Sequence, residues 1–194
     1  MLGLKLPSDP RWVNIAKNNL QEILTDHAYC EQKAANSAIS LVISFPEKPE
    51  LVSVMLNIAK EEISHFQMVH KLILEMGYSF GRERKDEYVI KLKSFFPKGG
   101  KRNDHLVNRL LYGALIEARS CERFKILSEE LERKKLRLFY KKLMISEAHH
   151  YKTFLKLAHK YGDSKEEVNQ KWNSLLEHEK NLMMELKNNK SIHG

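Results

Sequence analysis

Six residues in this chain have the types and spacings of metal ligands: Glu31, Glu62 with His65, Glu117, and Glu147 with His150. Four of them form two Glu-x-x-His pairs, a spacing that puts a carboxylate and an imidazole on one helix face, one turn apart. A single such pair carries little weight, since 20 glutamates and 9 histidines in 194 residues produce about one by chance. Here there are two, each preceded by a further glutamate at nearly the same interval: Glu31 stands 31 residues before Glu62, and Glu117 stands 30 before Glu147. Carboxylate and imidazole donors with room for open positions suit iron or manganese better than a closed structural zinc site. Four glutamates and two neutral imidazoles around two Fe(II) sum to zero charge, so two iron ions, with manganese as the alternative, would neutralise a cluster that is prohibitively costly to bury bare.

Helices must position these groups, and alternating steps of four and three residues show which. The series are Leu20, Leu24, His27, Glu31, Ala34, Ala38, Leu41; then Leu51, Met55, Ile58, Glu62, His65, Val69, Leu72, Met76; then Leu110, Ala114, Glu117, Cys121, Phe124; then Leu136, Tyr140, Leu143, Glu147, His150, Phe154, Leu157. Each is largely apolar with its ligand near the middle. The first helix is expected from the start signal Ser8-Asp9-Pro10 to about residue 44, where Pro46 and Pro49 end it. The second runs from about 50 to 76, stopped by Gly77. The third spans about 105–131 and the fourth 134–161, closed by Gly162. Ser164 with Glu167 three residues on starts a fifth helix that runs to about Lys187, with Val168, Trp172, Leu175, Leu182 and Leu186 as its apolar face.

Between 78 and 104 the periodicity fails and basic residues accumulate: Arg82, Arg84, Lys85, Lys91, Lys93, Lys98, Lys101 and Arg102. The pattern is two helical hairpins joined by one long crossover, each hairpin supplying a glutamate and then a Glu-x-x-His. That is the ligand set of ferritin-like dimetal carboxylate proteins. The expected fold is therefore all-α, a ferritin-like four-helix bundle with one long crossover and an extra C-terminal helix, and 194 residues suit one domain over 1–194.

Several neighbours have two readings. His27, one turn before Glu31, is either a hydrogen-bond partner of that ligand or a satisfied core histidine. Tyr140 either bonds a ligand or fills the core. Glu122 lies close enough to Glu117 to compete for the ligand position. Cys30 and Cys121 read as reduced, packed thiols, and His149 faces away from the ligand side.

Leu, Lys and Glu abound while Gly and Pro are scarce, which favours helices. No apolar run approaches the roughly 20 residues that span a bilayer and no signal-peptide pattern opens the chain, so a soluble cytoplasmic protein without a membrane partner is expected. The net charge of +8 suits a polyanionic partner as well as it suits a plain solvated surface.

The segments Asp26-His27-Ala28-Tyr29-Cys30-Glu31-Gln32-Lys33-Ala34, Glu61-Glu62-Ile63-Ser64-His65-Phe66, Leu115 to Phe124, Ser146-Glu147-Ala148-His149-His150 and Gly81 to Val89 resemble the tRNA 2-methylthio-N6-isopentenyladenosine hydroxylases. The resemblance covers nearly the whole chain, and the family's ligands fall on the same six positions. It implies an O2-dependent, di-iron hydroxylation of the isopentenyl side chain of a modified adenosine next to the anticodon. It also implies a tRNA partner, whose phosphates the basic crossover would contact. No Gly-rich nucleotide-binding turn is present, so electrons would come from an external reductase. The contrasting reading of the same ligand set is a ferritin-like or rubrerythrin-like iron oxidase or peroxide-detoxifying protein, since one site design serves several chemistries.

Overall fold

A computed structural model describes residues 2–97, 99–186 and 191–193, so Lys98 and Lys187 lie outside the described residues. Seven helices and no strand occur among the described residues: α1 Trp12–Asn18, α2 Leu20–Ser44, α3 Pro49–Glu75, α4 Glu87–Lys93, α5 Arg102–Glu130, α6 Lys134–Tyr161 and α7 Lys165–Glu185. None of them is long and apolar enough to cross a membrane. The chain divides into two compact units, Ala16–Lys85 with Lys190–Ile192, and Met1–Ile15 with Asp86–Asn189 and His193–Gly194.

In the first of these units α2 and α3 pack as a hairpin across the short turn at 45–48. Pro49 opens α3, where its missing N–H is no loss. Gly77 follows the helix at φ +73, the left-handed conformation glycine tolerates. The start of the crossover then lies back along the hairpin. Phe80 stacks on Tyr29 at 5.0 Å between centroids and meets His70 edge-on, the Tyr29 hydroxyl donates to the Gly81 carbonyl at 3.1 Å, and Arg84 donates to the Glu22 carbonyl.

In the other unit α5 and α6 form the second hairpin, and α7 packs on α4, α5 and α6. From Glu117 to Phe124 every residue of α5 is buried, so this stretch is enclosed on all sides and not on one stripe. Ser164 caps α7 as expected, accepting the Glu167 N–H at 3.1 Å.

Two expectations need correction. The single first helix is broken at Asn19, whose φ of −134° leaves the helical region; asparagine competes for its own backbone and favours such breaks. The start signal before α1 holds: Asp9, directly before Pro10, accepts the Arg11 N–H on its side chain at 2.8 Å and the Trp12 N–H on its carbonyl at 2.9 Å, while Ser8 donates through its N–H and its hydroxyl to Glu122. The crossover is not wholly irregular, because Asp86 accepts the Val89 N–H at 3.1 Å and starts α4, which buries Tyr88 and Leu92. Two helical turns are too short for periodicity to reveal.

Candidate metal centre

All six expected ligands are buried, each on the core side of its helix. In the α2–α3 hairpin Glu31, Glu62 and His65 each offer a ligand atom within 4.8 Å of the others. His65 Nδ1 lies 3.3 Å from Glu62 Oε2 and 3.6 Å from Glu31 Oε2. Burial, followed by the charge of Glu62, raises the Glu31 carboxyl well above the usual carboxylate range. Burial alone would lower His65, but its hydrogen bonds to Glu31 and Glu62 outweigh that and bring it to about 10. The imidazolium proton balances one of the two carboxylate charges, and burial pushes Glu31 toward its neutral form. The donor set fits a divalent metal, whose binding would displace that proton.

His27 adds a contact here. Its Nε2 is 2.6 Å from Glu31 Oε1 and the ring is fully buried, so it holds the carboxylate in place, as a hydrogen-bond partner of a ligand does.

In the α5–α6 hairpin Glu117, Glu147 and His150 likewise bring ligand atoms within 4.8 Å of one another. Glu122 belongs to a different cluster: it accepts both bonds from Ser8 and pairs with Arg119. Glu122 is thus engaged by other partners, and Glu117 is the glutamate whose ligand atom lies beside those of Glu147 and His150. Tyr140 packs its ring on Phe124 at 5.4 Å. Cys121 is a buried free thiol, pushed up to about 11 by burial and then by the charges of Glu147 and Glu122, which makes it a poor nucleophile. His149 is exposed and Cys30 half-buried.

Sequence reasoning did not find the polar cluster behind Glu117. Arg119 is fully buried, donates to Glu179 through Nε at 3.0 Å, pairs with Glu122 and donates to the Leu6 carbonyl. Tyr88 of α4 donates to the same Glu179 at 3.2 Å. Arg123 is also fully buried, and its guanidinium lies 4.0 Å from the Trp12 ring centre. Spacing gave no signal for it, since Arg119, Glu122 and Arg123 share the face opposite Glu117, Cys121 and Phe124, which periodicity alone reads as solvated.

The basic residues Arg82, Arg84 and Lys85 of the crossover are exposed. Glu83, Asp86 and Glu87 alternate with them, and Glu83 pairs with Lys33 at 2.8 Å.

Comparison with known proteins shows the family. Residues 3–194 match the family model described as tRNA-(MS[2]IO[6]A)-hydroxylase (MiaE). A tRNA 2-(methylsulfanyl)-N(6)-isopentenyladenosine(37) hydroxylase of Pseudomonas putida is 37% identical over 160 residues, 82% of this chain and 77% of the relative. The protein of the same name from Salmonella typhimurium is 30% identical over 210 residues, 80% of this chain and 74% of the relative. Among solved structures, a Synechococcus protein with aldehyde deformylating oxygenase activity superposes with a TM-score of 0.91 at 28% identity, covering 98% of this chain and 95% of the other. The fold class is accordingly all-α and ferritin-like. With its buried glutamate and histidine triads and a family match over almost its full length, the chain belongs to the tRNA-(MS[2]IO[6]A)-hydroxylase family.

Proposed function

We propose that this chain, acting as one ferritin-like domain, hydroxylates the isopentenyl side chain of 2-methylthio-N6-isopentenyladenosine next to the tRNA anticodon. Its membership of the hydroxylase family supports the substrate. The observation that carries the chemistry is the burial of Glu31, Glu62 and His65 on one hairpin and Glu117, Glu147 and His150 on the other. We read the six together as the ligands of two iron ions. Iron held there would supply the O2 activation that hydroxylating an unactivated carbon needs, because such a carbon has no acidic proton for acid-base groups to remove.

The protein's own share is charge, orientation and shelter. The four glutamates supply anionic oxygens, the two histidines complete the set as neutral donors, and His27 fixes the Glu31 carboxylate by its 2.6 Å contact. Arg119, joined to Glu179 and Glu122, holds α5 and therefore Glu117 in register with α7. Insertion of one oxygen atom of O2 requires two electrons from outside, which we assign to a separate reductase. A tRNA substrate places the reaction in the cytoplasm.

The test supplies the reduced, iron-loaded protein with prenylated tRNA under labelled O2, followed by mass spectrometry of the nucleosides. One labelled oxygen is expected in the prenyl side chain. Oxidation of the iron without any label in the nucleoside would overturn the proposal in favour of an iron oxidase.

A further inference from the structure

The positive charge of this chain is concentrated on one helix. α6 carries eight lysines and arginines and a single acidic residue, Glu147, a surplus of seven against a net charge of +8 for the whole chain. Glu147 is buried with His150 on the opposite side, so the outward face carries no carboxylate at all. Lys134, Arg137, Lys141, Lys152, Lys156 and Lys160 follow one another along that face, all exposed, with Lys135 and Lys142 beside them. Leu138 and Ile145 are its exposed apolar members, and His149 its only histidine there. Among the described residues no acidic side chain pairs with Lys134, Arg137, Lys141, Lys152 or Lys156. Like charges three and four residues apart destabilise a helix, so local stability gives no reason for this pattern.

We propose that the exposed face of α6 is the track on which the phosphate backbone of the tRNA lies, an inference that rests on the tRNA reading above. From Lys134 to Lys160 the track is about 39 Å long at 1.5 Å per residue, with its cations in two groups, 134–142 and 152–160, on either side of Ile145 and His149. A long polyanion of regularly spaced phosphates matches such a track. An acidic electron-donor protein is the other partner a basic face could take, but electron-transfer encounters use small patches, and a track of this length exceeds what one needs. The crossover is the weaker candidate, since its eight basic residues over 78–104 are set against Glu83, Asp86, Glu87 and Asp104, a surplus of four against seven on α6. The same helix thus presents metal ligands inward and phosphate contacts outward. Lys141 and Lys152 flank the Glu147–His150 pair along the chain, so RNA held on this face is registered to the centre through a single rigid element.

The experiment measures binding of prenylated tRNA against salt concentration for the iron-loaded protein and for its variant Lys141→Gln/Lys152→Gln/Lys156→Gln. Helical circular dichroism and iron content serve as controls on folding. Each lost phosphate contact lowers the slope of log affinity against log salt by about 0.7 to 0.9, so a drop of about two to three is expected, and the matching Lys→Arg variant should retain the original slope. An unchanged slope in the glutamine variant overturns the proposal. So does an unchanged slope accompanied by a higher electron-donor concentration for half-maximal turnover, which would assign the face to the reductase. If the unaltered protein shows no salt-dependent tRNA binding, the tRNA reading itself fails and this inference with it.

Discussion

Arg119 of α5 and Glu179 of α7 meet with neither side chain exposed, the Arg119 Nε 3.0 Å from Glu179 Oε1. One turn further along α5, Arg123 is equally buried, yet its three guanidinium nitrogens have no hydrogen-bond acceptor among the described residues and its flat face rests on Trp12. Burial, followed by the charge of Arg119, pulls the Arg123 guanidinium down to about 9, the sign of a cation held at a cost. Its place over the tryptophan ring offsets about 2 kcal/mol of that. Breaking a buried pair by removing one partner costs about 3–5 kcal/mol, whereas replacing an ill-paired buried charge by an apolar side chain is often neutral or stabilising. Arg119→Met should therefore lose about 3–5 kcal/mol, because it strands Glu122 and Glu179. Arg123→Met should change stability by no more than about 1 kcal/mol, or raise it. Urea unfolding of the iron-loaded proteins checks both, and equal losses in the two variants would contradict this account.

Glu62→Ala and Glu147→Ala should each lose metal, since each removes a carboxylate whose charge the cations balance. The unaltered protein reconstituted with iron should hold about two ions per chain. Metal analysis after desalting decides it; an unaltered protein that retains no more than one tightly bound ion would count against a dinuclear centre.

His27→Ala should leave the ligand set complete but release the Glu31 carboxylate from its 2.6 Å partner. Loss of such a supporting group lowers metal affinity by about 10- to 100-fold. Competition with a chelator measures the shift, and an unchanged affinity would return His27 to a packing role.

Arg82→Ala/Arg84→Ala/Lys85→Ala should lower the salt slope of tRNA binding without removing metal, because all three side chains are exposed and none belongs to a ligand triad. The decrease should be smaller than that of the α6 variant, given the acidic residues interleaved with them. A larger decrease would move the main phosphate contacts to the crossover.

Gly162→Ala and Gly77→Ala should differ in kind. Gly162 has φ −76, open to any residue, but an added Cβ would stand 2.3 Å from Cγ2 of buried Val168, so the cost is overpacking, about 1–3 kcal/mol. Gly77 sits at φ +73 with nothing near its missing Cβ, so the cost is the left-handed backbone alone, about 1–2 kcal/mol. Removing the Val168 methyls with Val168→Ala should rescue the first variant and leave the second unaffected, as thermal unfolding would show.

The burial of the six candidate positions was legible in the sequence because one helical period governs which residues turn inward. A residue on the apolar phase of α2, α3, α5 or α6 is carried inward, and a glutamate there needs a cation wherever the partner helices lie. The long helices and the crossover followed from the same periodicity and from the proline and glycine stops, and the family resemblance from the wording of the segments around the ligands. Tertiary structure alone decided what periodicity cannot encode. Glu122 and Glu117 are both buried on α5; the apolar phase favours Glu117, but only the fold shows Glu122 held by Ser8 and Arg119. That Ser8, beside the Asp9 cap, binds a carboxylate more than a hundred residues away depends on where the chain returns, which no local spacing records. The basic face of α6 lies between the two cases. Its lysines are plain in the sequence, but a lysine matters to a partner only if it is exposed and not already neutralised. That is set by the packing around it, and the folded chain leaves this face open while interleaving acids with the basic residues of the crossover.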